Sequence, residues 1–262
     1  MLVEFFVLNL KKEFSVNVNT LCEHSSWAAQ IKSVPCGLFV VPTPIGHRED
    51  ISLRALVTLN TVDVIVCEDT RITRPLLQYY GIQSQYISYH QHNEKSKLNA
   101  VLTLARQQRI ALVSDRGTPG VSDAGILLIS SCYQENIPVH IIPGPCSVIQ
   151  SFLASGFIEN NFLFYGFLPR TIGAQRSIFE SLHPIPMALI FFESPYRLKK
   201  TLMLMGTIFH HRQACVLREL TKRFEEIQRG TFSTLTEIFE KRPPKGECII
   251  VVAKPSPKKT TG

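Results

Sequence analysis

Five polar clusters punctuate the first half of this chain, each following a short β-branched or aromatic run. GLFVVP (37–42) leads into TPIGHRED, VDVIVC (62–67) into EDTR, YISY (86–89) into HQHNE, IALVS (110–114) into DRGTPGVSDAG, and VHII (139–142) into PGPCS. Their carboxylates and imidazoles can accept and return protons. Their arginines suit phosphate oxygens, and their glycines let backbone come close to a ligand. Asp, Thr, Ser and Gly also favour turns and helix caps, so a single cluster reads more readily as turn and cap chemistry than as a site. Five of them at the carboxyl ends of successive strands point to a ligand site, because that edge is where open α/β sheets bind ligands. No G-x-G-x-x-G follows the first run and no G-x-x-x-x-G-K-[ST] occurs, which argues against nicotinamide and P-loop chemistry. His90-x-His92 and His210-His211 lack companion Cys or acid at metal spacing, so no metal is expected.

The elements that must position these clusters follow from pattern. Helical stretches at 52–60, 70–80, 94–108 and 123–136 alternate with the strand-like runs. That alternation predicts a parallel sheet with helices on both faces. After Gly156 the texture changes. Runs at FLFYGF (162–167), MALIFF (187–192), ACVLREL (214–220), EEIQRGTF (225–232) and ECIIVVA (247–253) have helices only at 174–182, 195–207 and 233–241. Two consecutive strand-like runs, 214–220 and 225–232, suggest a hairpin and hence a mixed sheet. The expected organisation is an α/β lobe over 37–150, a second over 151–253, and a basic tail at 254–262. Residues 1–36 show no clear period and read as an extension of unknown order.

The chain has 262 residues, 45% of them apolar, enough for one large or two small cored domains and too apolar for general disorder. No apolar run reaches the ~18 residues of a membrane span. The opening MLVEFFVLNL is broken by Glu4 and followed by Lys11-Lys12, the reverse of a secretory signal, so the expected location is the cytoplasm. Seven cysteines, an odd count at wide spacing without C-x-x-C, argue against a disulfide framework. The net charge is +7; residues 1–36 cancel and the tail holds three Lys, which leaves about +4 on 37–253. That mild excess is compatible with nucleic acid without arguing for it alone.

Taken in order, TPIG (43–46), EDTR (68–71), YHQHNE (89–94), SDRGTPGVSDAG (114–125), PGP (143–145), GFLPR (166–170), ESPYR (193–197), RELTK (218–222) with Glu225-Glu226, and GE (246–247) resemble one family. It is the tetrapyrrole-methylase-like superfamily of S-adenosylmethionine methyltransferases. Within it the motifs are similar to the bacterial branch that methylates a ribose 2′-hydroxyl of a decoding-site cytidine in 16S ribosomal RNA. The resemblance covers about 37–253. It implies a two-lobed α/β fold (class III methyltransferase) with a parallel-sheet N-lobe, a mixed-sheet C-lobe and a cofactor cleft between them. It also implies S-adenosyl-L-methionine as cofactor, the small ribosomal subunit as partner, and a homodimer without membrane or metal. By motif position the cofactor loop is Arg116, Gly117, Thr118 and Pro119 with Val121, and further walls come from Cys146, Ser147, Phe167, Phe192, Leu217 and Gly246.

Four departures from the family pattern stand out. His47-Arg48 replaces Asn-Leu, Arg116 a small residue, Gly120 a Leu, and Asp123-Ala124-Gly125 an Asp-Pro-Gly. Arg116 would repel a sulfonium if it faced the ligand. Either it points away or pairs with Asp115 or Asp123, or it alters cofactor affinity. The reaction so implied is in-line attack of a ribose oxygen on a sulfonium methyl, which depends mostly on alignment. Asp69, His92, Glu94 and Asp115 are the candidate bases, and sequence does not choose among them. For RNA, Arg71, Tyr89, His90 and Asn93 are candidates in the first lobe, with Tyr89, His90 and His92 as stacking groups, although Tyr89 reads equally well as a core residue. Arg170, Arg197, Arg218 and Lys222 are the phosphate candidates in the second, where a solvated face is the competing reading. Two other functions compete: a tetrapyrrole methylase, against which EDTR, YHQHNE and RELTK speak, and an inactive RNA-binding or assembly module of the same fold, supported only by Arg116 and His47-Arg48.

Overall fold

Alternate side chains on a strand point to opposite faces, and the first unit of the protein is built on that rule. The computed structural model describes residues 18–33, 36–158 and 160–255. Among these, β1 (Gly37–Val40), β2 (Val64–Cys67), β3 (Gln85–Ser88), β4 (Arg109–Val113) and β5 (Val139–Ile141) form one all-parallel sheet in the order β3-β2-β4-β1-β5. Phe39, Val41, Ile65, Cys67, Ala111 and Val113 enter one core with helices α3 (Leu53–Thr61) and α4 (Thr70–Tyr79). Leu38, Val40, Val64, Val66, Ile110 and Leu112 enter the other with α5 (Glu94–Gln107) and α6 (Ile126–Gln134). Central strands buried on both faces read as continuous apolar runs, as these do. The register pairs Val40 with Leu112 and Ile141, and Cys67 with Val113 and Ser88. All five carboxyl ends therefore lie level, and the loops that follow share one edge.

Residues 18–33, which showed no clear period, fold as α1 (Val18–His24) and α2 (Ser26–Ser33). Each is too short to display one. Val18, Ala28 and Ile31 are nonetheless buried in the first core. The Trp27 indole N–H donates to Thr58 Oγ1 at 2.9 Å, with the Arg54 guanidinium over its ring. Ile31→Ala should lower the unfolding free energy by about 2–3 kcal/mol in urea titration, the lower part of the range for buried Ile-to-Ala changes. An unchanged midpoint would mean that α2 contributes nothing to this core.

The chain divides into two compact units, and the second comprises Ile45–Glu49 together with Cys146 onward. It contains α7 (Ser147–Ser155), β6 (Phe162–Phe167), α8 (Ile172–Leu182), β7 (Ala188–Glu193), α9 (Leu198–Ile208), β8 (Ala214–Arg218), β9 (Glu226–Gly230), α10 (Phe232–Lys241) and β10 (Cys248–Val252). Its sheet runs β6-β7-β10-β8-β9; only β6 and β7 pair in parallel, so the sheet is mixed as expected. Leu189, Phe191, Val216, Ile250 and Val252 pack with α8, α9 and α10. The opposite face is covered by α7, which packs on β8, β9 and β10. No described helix is long and apolar enough to cross a membrane.

Candidate active site

Hydroxyl side chains stitch together the loops at the carboxyl edge of the first sheet. Thr43 N–H donates to the Gly117 carbonyl at 2.9 Å, and Gly117 N–H returns a bond to Thr43 at 3.0 Å. Thr43 Oγ1 donates to the Ser114 carbonyl at 3.1 Å, and Ser114 Oγ to the Gly117 carbonyl at 3.0 Å. Thr118 Oγ1 donates to the Pro145 carbonyl at 2.9 Å. The loops after β1, β4 and β5 are thus held by bonds that a ligand need not supply. Gly117 sits at φ +81°, where a Cβ costs about 1–2 kcal/mol. Its glycine has a backbone reason before any ligand is considered. Arg116 is exposed, and its charge bears on Asp115. Pro119 is buried, while Thr118 and Val121 are half-buried.

Beside this loop three carboxylates converge, Glu68, Asp69 and Asp115. Asp69 caps α4: its carboxylate accepts the Arg71 backbone N–H at 2.8 Å and the Arg71 guanidinium at 2.6–3.1 Å. Those bonds hold its pKa down at about 2. Asp115 Oδ1 accepts the Asp69 backbone N–H at 3.1 Å. Burial raises the pKa of Asp115, and the Asp69 charge adds to the rise against that hydrogen bond. Glu68 is raised as well, first by burial and then by the charges of Asp115 and Asp69. Adjacent carboxylates whose environments push them apart in this way are a signature of acid–base sites.

The 89–94 motif divides in the structure. Tyr89 is 1% exposed in the second core of this unit, so its ring has no face open to a base, and burial raises its phenol to about 12. His90 is locked by Asn93, which accepts the His90 backbone N–H at 2.8 Å and meets the ring nitrogen at 3.1 Å. His92 is exposed, its ring edge-on to His90 at 5.9 Å. Glu94 opens α5. Among the described residues no group of three or more His, Cys, Asp or Glu could hold a metal ion.

The remaining expected residues belong to the second unit, where several cations have partners within the protein. Arg197 binds Glu193 at 2.6 Å and donates to the carbonyls of Pro169 at 3.0 Å and Leu168 at 3.2 Å. Glu193 is fully buried and also accepts from Ser194 N–H and Thr201 Oγ1. A phosphate at Arg197 would have to displace that carboxylate, so its visible task is to brace the GFLPR loop. Lys222 lies between Glu219 and Glu247, 2.9 Å from each. Arg218 bonds Glu226 and the Lys245 carbonyl. Leu217 is buried in β8; Phe167 and Phe192 meet edge-on at 5.3 Å. Cys146 and Ser147 begin α7, and Gly246 (φ +84°) packs against Glu219. Arg170 is exposed beyond β6.

A family model described as Tetrapyrrole (Corrin/Porphyrin) Methylases matches residues 37–236. The chain belongs to this methylase family. It is 43% identical over 217 residues to the ribosomal RNA small subunit methyltransferase I of Streptococcus pyogenes serotype M1, spanning 82% of this chain and 76% of that protein. To the protein of the same name from Thermotoga maritima it is 41% identical, over 82% of this chain and 97% of the relative. A solved cobalt precorrin-4 methyltransferase superposes with a TM-score of 0.63 at 16% identity, covering 83% of this chain and 95% of that one, a likeness of fold. The tetrapyrrole methylase fold expected from the motifs is thus present. Sequence reasoning did not pick out Thr43 and Ser114 as loop pins, although a hydroxyl residue just after a strand was the available signal. It also left Glu68 out of the candidate bases, since its raised pKa depends on spatial neighbours.

Proposed function

We propose that the protein transfers a methyl group from S-adenosylmethionine to the ribose 2′-hydroxyl of a decoding-site cytidine in small-subunit ribosomal RNA. The observation that carries this reading is the 41–43% identity, over 82% of the chain, to two relatives named for small-subunit ribosomal RNA methylation. The 2′-oxygen and the cytidine rest on the likeness of EDTR, YHQHNE and RELTK to that branch. When bound, S-adenosylmethionine supplies an electrophilic methyl on a sulfonium whose sulfur keeps the bonding electrons. The carboxylate cluster of Glu68, Asp69 and Asp115 fits such a cation, and the backbone of 116–119, pinned by Thr43 and Ser114, is the surface that would hold it.

Within this reading the carboxylates take separate roles. Asp69 is a poor base, because the Arg71 backbone and guanidinium bind its carboxylate. It fixes Arg71 and the start of α4. Asp115 gives one oxygen to the Asp69 N–H, is the more basic group, and directly precedes the cofactor loop. It takes the hydroxyl proton as the new oxygen–carbon bond forms. The decisive experiment incubates the protein with labelled S-adenosylmethionine and small subunits lacking the modification, then maps the label. A methyl on a ribose oxygen is expected. A methyl on a base atom overturns the mechanism, and no transfer to ribosomal RNA overturns the function.

A further inference from the structure

Exposed aromatic rings carry a hydration cost, and two stand on loops at one edge of the second unit. β7 and β8 both pair antiparallel with β10, so they run the same way, and β6 runs with β7. The carboxyl ends of all three therefore share an edge. Tyr196, in the turn between β7 and α9, is 94% exposed, and Phe224, between β8 and β9, is 64% exposed. Because β10 lies between β7 and β8, these loops spring from points about 10 Å apart, two strand spacings. Arg223 lays its guanidinium 5.5 Å from the Phe224 ring. Arg170 is exposed on the loop after β6.

The loops that carry these rings are braced. Arg197, the neighbour of Tyr196, ties its turn to Leu168 and Pro169 and so to the Arg170 loop. Lys222, two residues before Phe224, is fixed by Glu219 and Glu247. The nearby acids are engaged within the protein: Glu193 with Arg197, Glu226 with Arg218, Glu247 with Lys222, and Glu225, next to Phe224, with the Thr221 backbone N–H. Aromatic faces interleaved with arginine on braced loops are how proteins hold unpaired RNA, since every base offers a face for stacking.

We propose that Tyr196 and Phe224 form a stacking platform for unpaired bases of the substrate RNA, with Arg170 and Arg223 on the adjoining phosphates. The proposal rests on the reading of the protein as an RNA methyltransferase. It replaces Tyr89, which is buried, as the source of aromatic stacking.

The test uses the full chain and two probes, a fluorescent unstructured oligouridylate and small subunits lacking the modification. Tyr196→Leu and Phe224→Leu retain apolar bulk without a π-face. Each should weaken oligouridylate binding about tenfold, the scale of one lost base stack, with the salt slope unchanged. Tyr196→Phe and Phe224→Tyr should bind as the parent does. Arg170→Gln should flatten the salt slope by about one phosphate contact. Leu variants that bind RNA normally overturn the platform. So does a shift in sedimentation from oligomer to monomer at unchanged RNA affinity, which would assign these rings to contact with a second copy. If the parent methylates subunits and the Leu variants bind and methylate equally, the platform alone fails. If the parent loses oligouridylate affinity with the Leu changes yet transfers no methyl to ribosomal RNA, the enzymatic reading fails and the platform stands.

Discussion

Asp115→Asn is expected to lower the methylation rate of small subunits by about 10²–10⁴-fold, the usual contribution of a positioned base, a far larger loss than that in S-adenosylmethionine affinity, since Glu68 and Asp69 keep their charges. The amide oxygen can still accept the Asp69 N–H, so the loop should keep its shape. The same substitution should raise the melting temperature at neutral pH. The sign follows from linkage: the folded pKa of Asp115 is raised, so its stability contribution is present below the unfolded carboxylate pKa and is lost as pH rises through the folded value. At neutral pH the ionised group is a net cost, which the amide removes. In the parent, the acid limb of the rate profile should lie above the value of an ordinary aspartate. Asp69→Asn should move that limb down without abolishing it, because the Asp69 charge contributes to the raised pKa of Asp115. A parental limb at the ordinary carboxylate value, or full turnover in Asp115→Asn, would remove Asp115 as the base.

The largest stability effect is expected at Glu193 and Arg197. Arg197→Met leaves the Glu193 carboxylate fully buried without its counter-charge. Removing one partner of such a pair typically costs about 3–5 kcal/mol, measurable by urea unfolding. Replacing Glu193 and Arg197 together by Met should recover part of that loss, because the desolvated charge goes with its partner. A double variant as unstable as the sum of the single ones would mean that the two groups act separately. RNA binding should fall in Arg197→Met as well, through the released carbonyls of Leu168 and Pro169 rather than through a lost phosphate contact.

Much of the architecture was legible because burial on both faces writes itself as short apolar runs. VIVC and ALIFFE could be placed within two residues, and FLFYGF coincides with β6. The helix SVIQSFLAS was not foreseen, since its apolar residues fall where a boundary between lobes was expected. The site was legible by loop and not by side chain. Residue type marks Asp69 and Asp115 alike as candidate bases; Arg71, two residues after Asp69, already offered a structural ion pair as the competing reading, and the structure forms that pair. Tyr89 and His90 sit side by side in one motif, yet Tyr89 ends in the core while His90 faces Asn93. Arg197 carries a full charge in sequence, and its partner four residues earlier was the one available clue that the charge was already spent.

The pentapeptide Ile45–Glu49 gives the second unit a divided inheritance. A Cβ on Gly46 would lie 2.5 Å from Thr221 Oγ1 and 2.8 Å from the Leu220 carbonyl, so only glycine fits there, and His47 N–H donates to Thr221 Oγ1 at 3.0 Å. This piece is synthesised before most of the first unit, while the loop that receives it emerges near the end of translation. Vectorial folding, in which earlier domains close before later ones appear, cannot complete the second unit until its own first fragment is recaptured. A gene segment beginning at Cys146 would likewise encode a domain with an empty socket at Leu220–Lys222. Recombination at that boundary would transplant an incomplete body, which ties the two halves of the coding sequence to a common history.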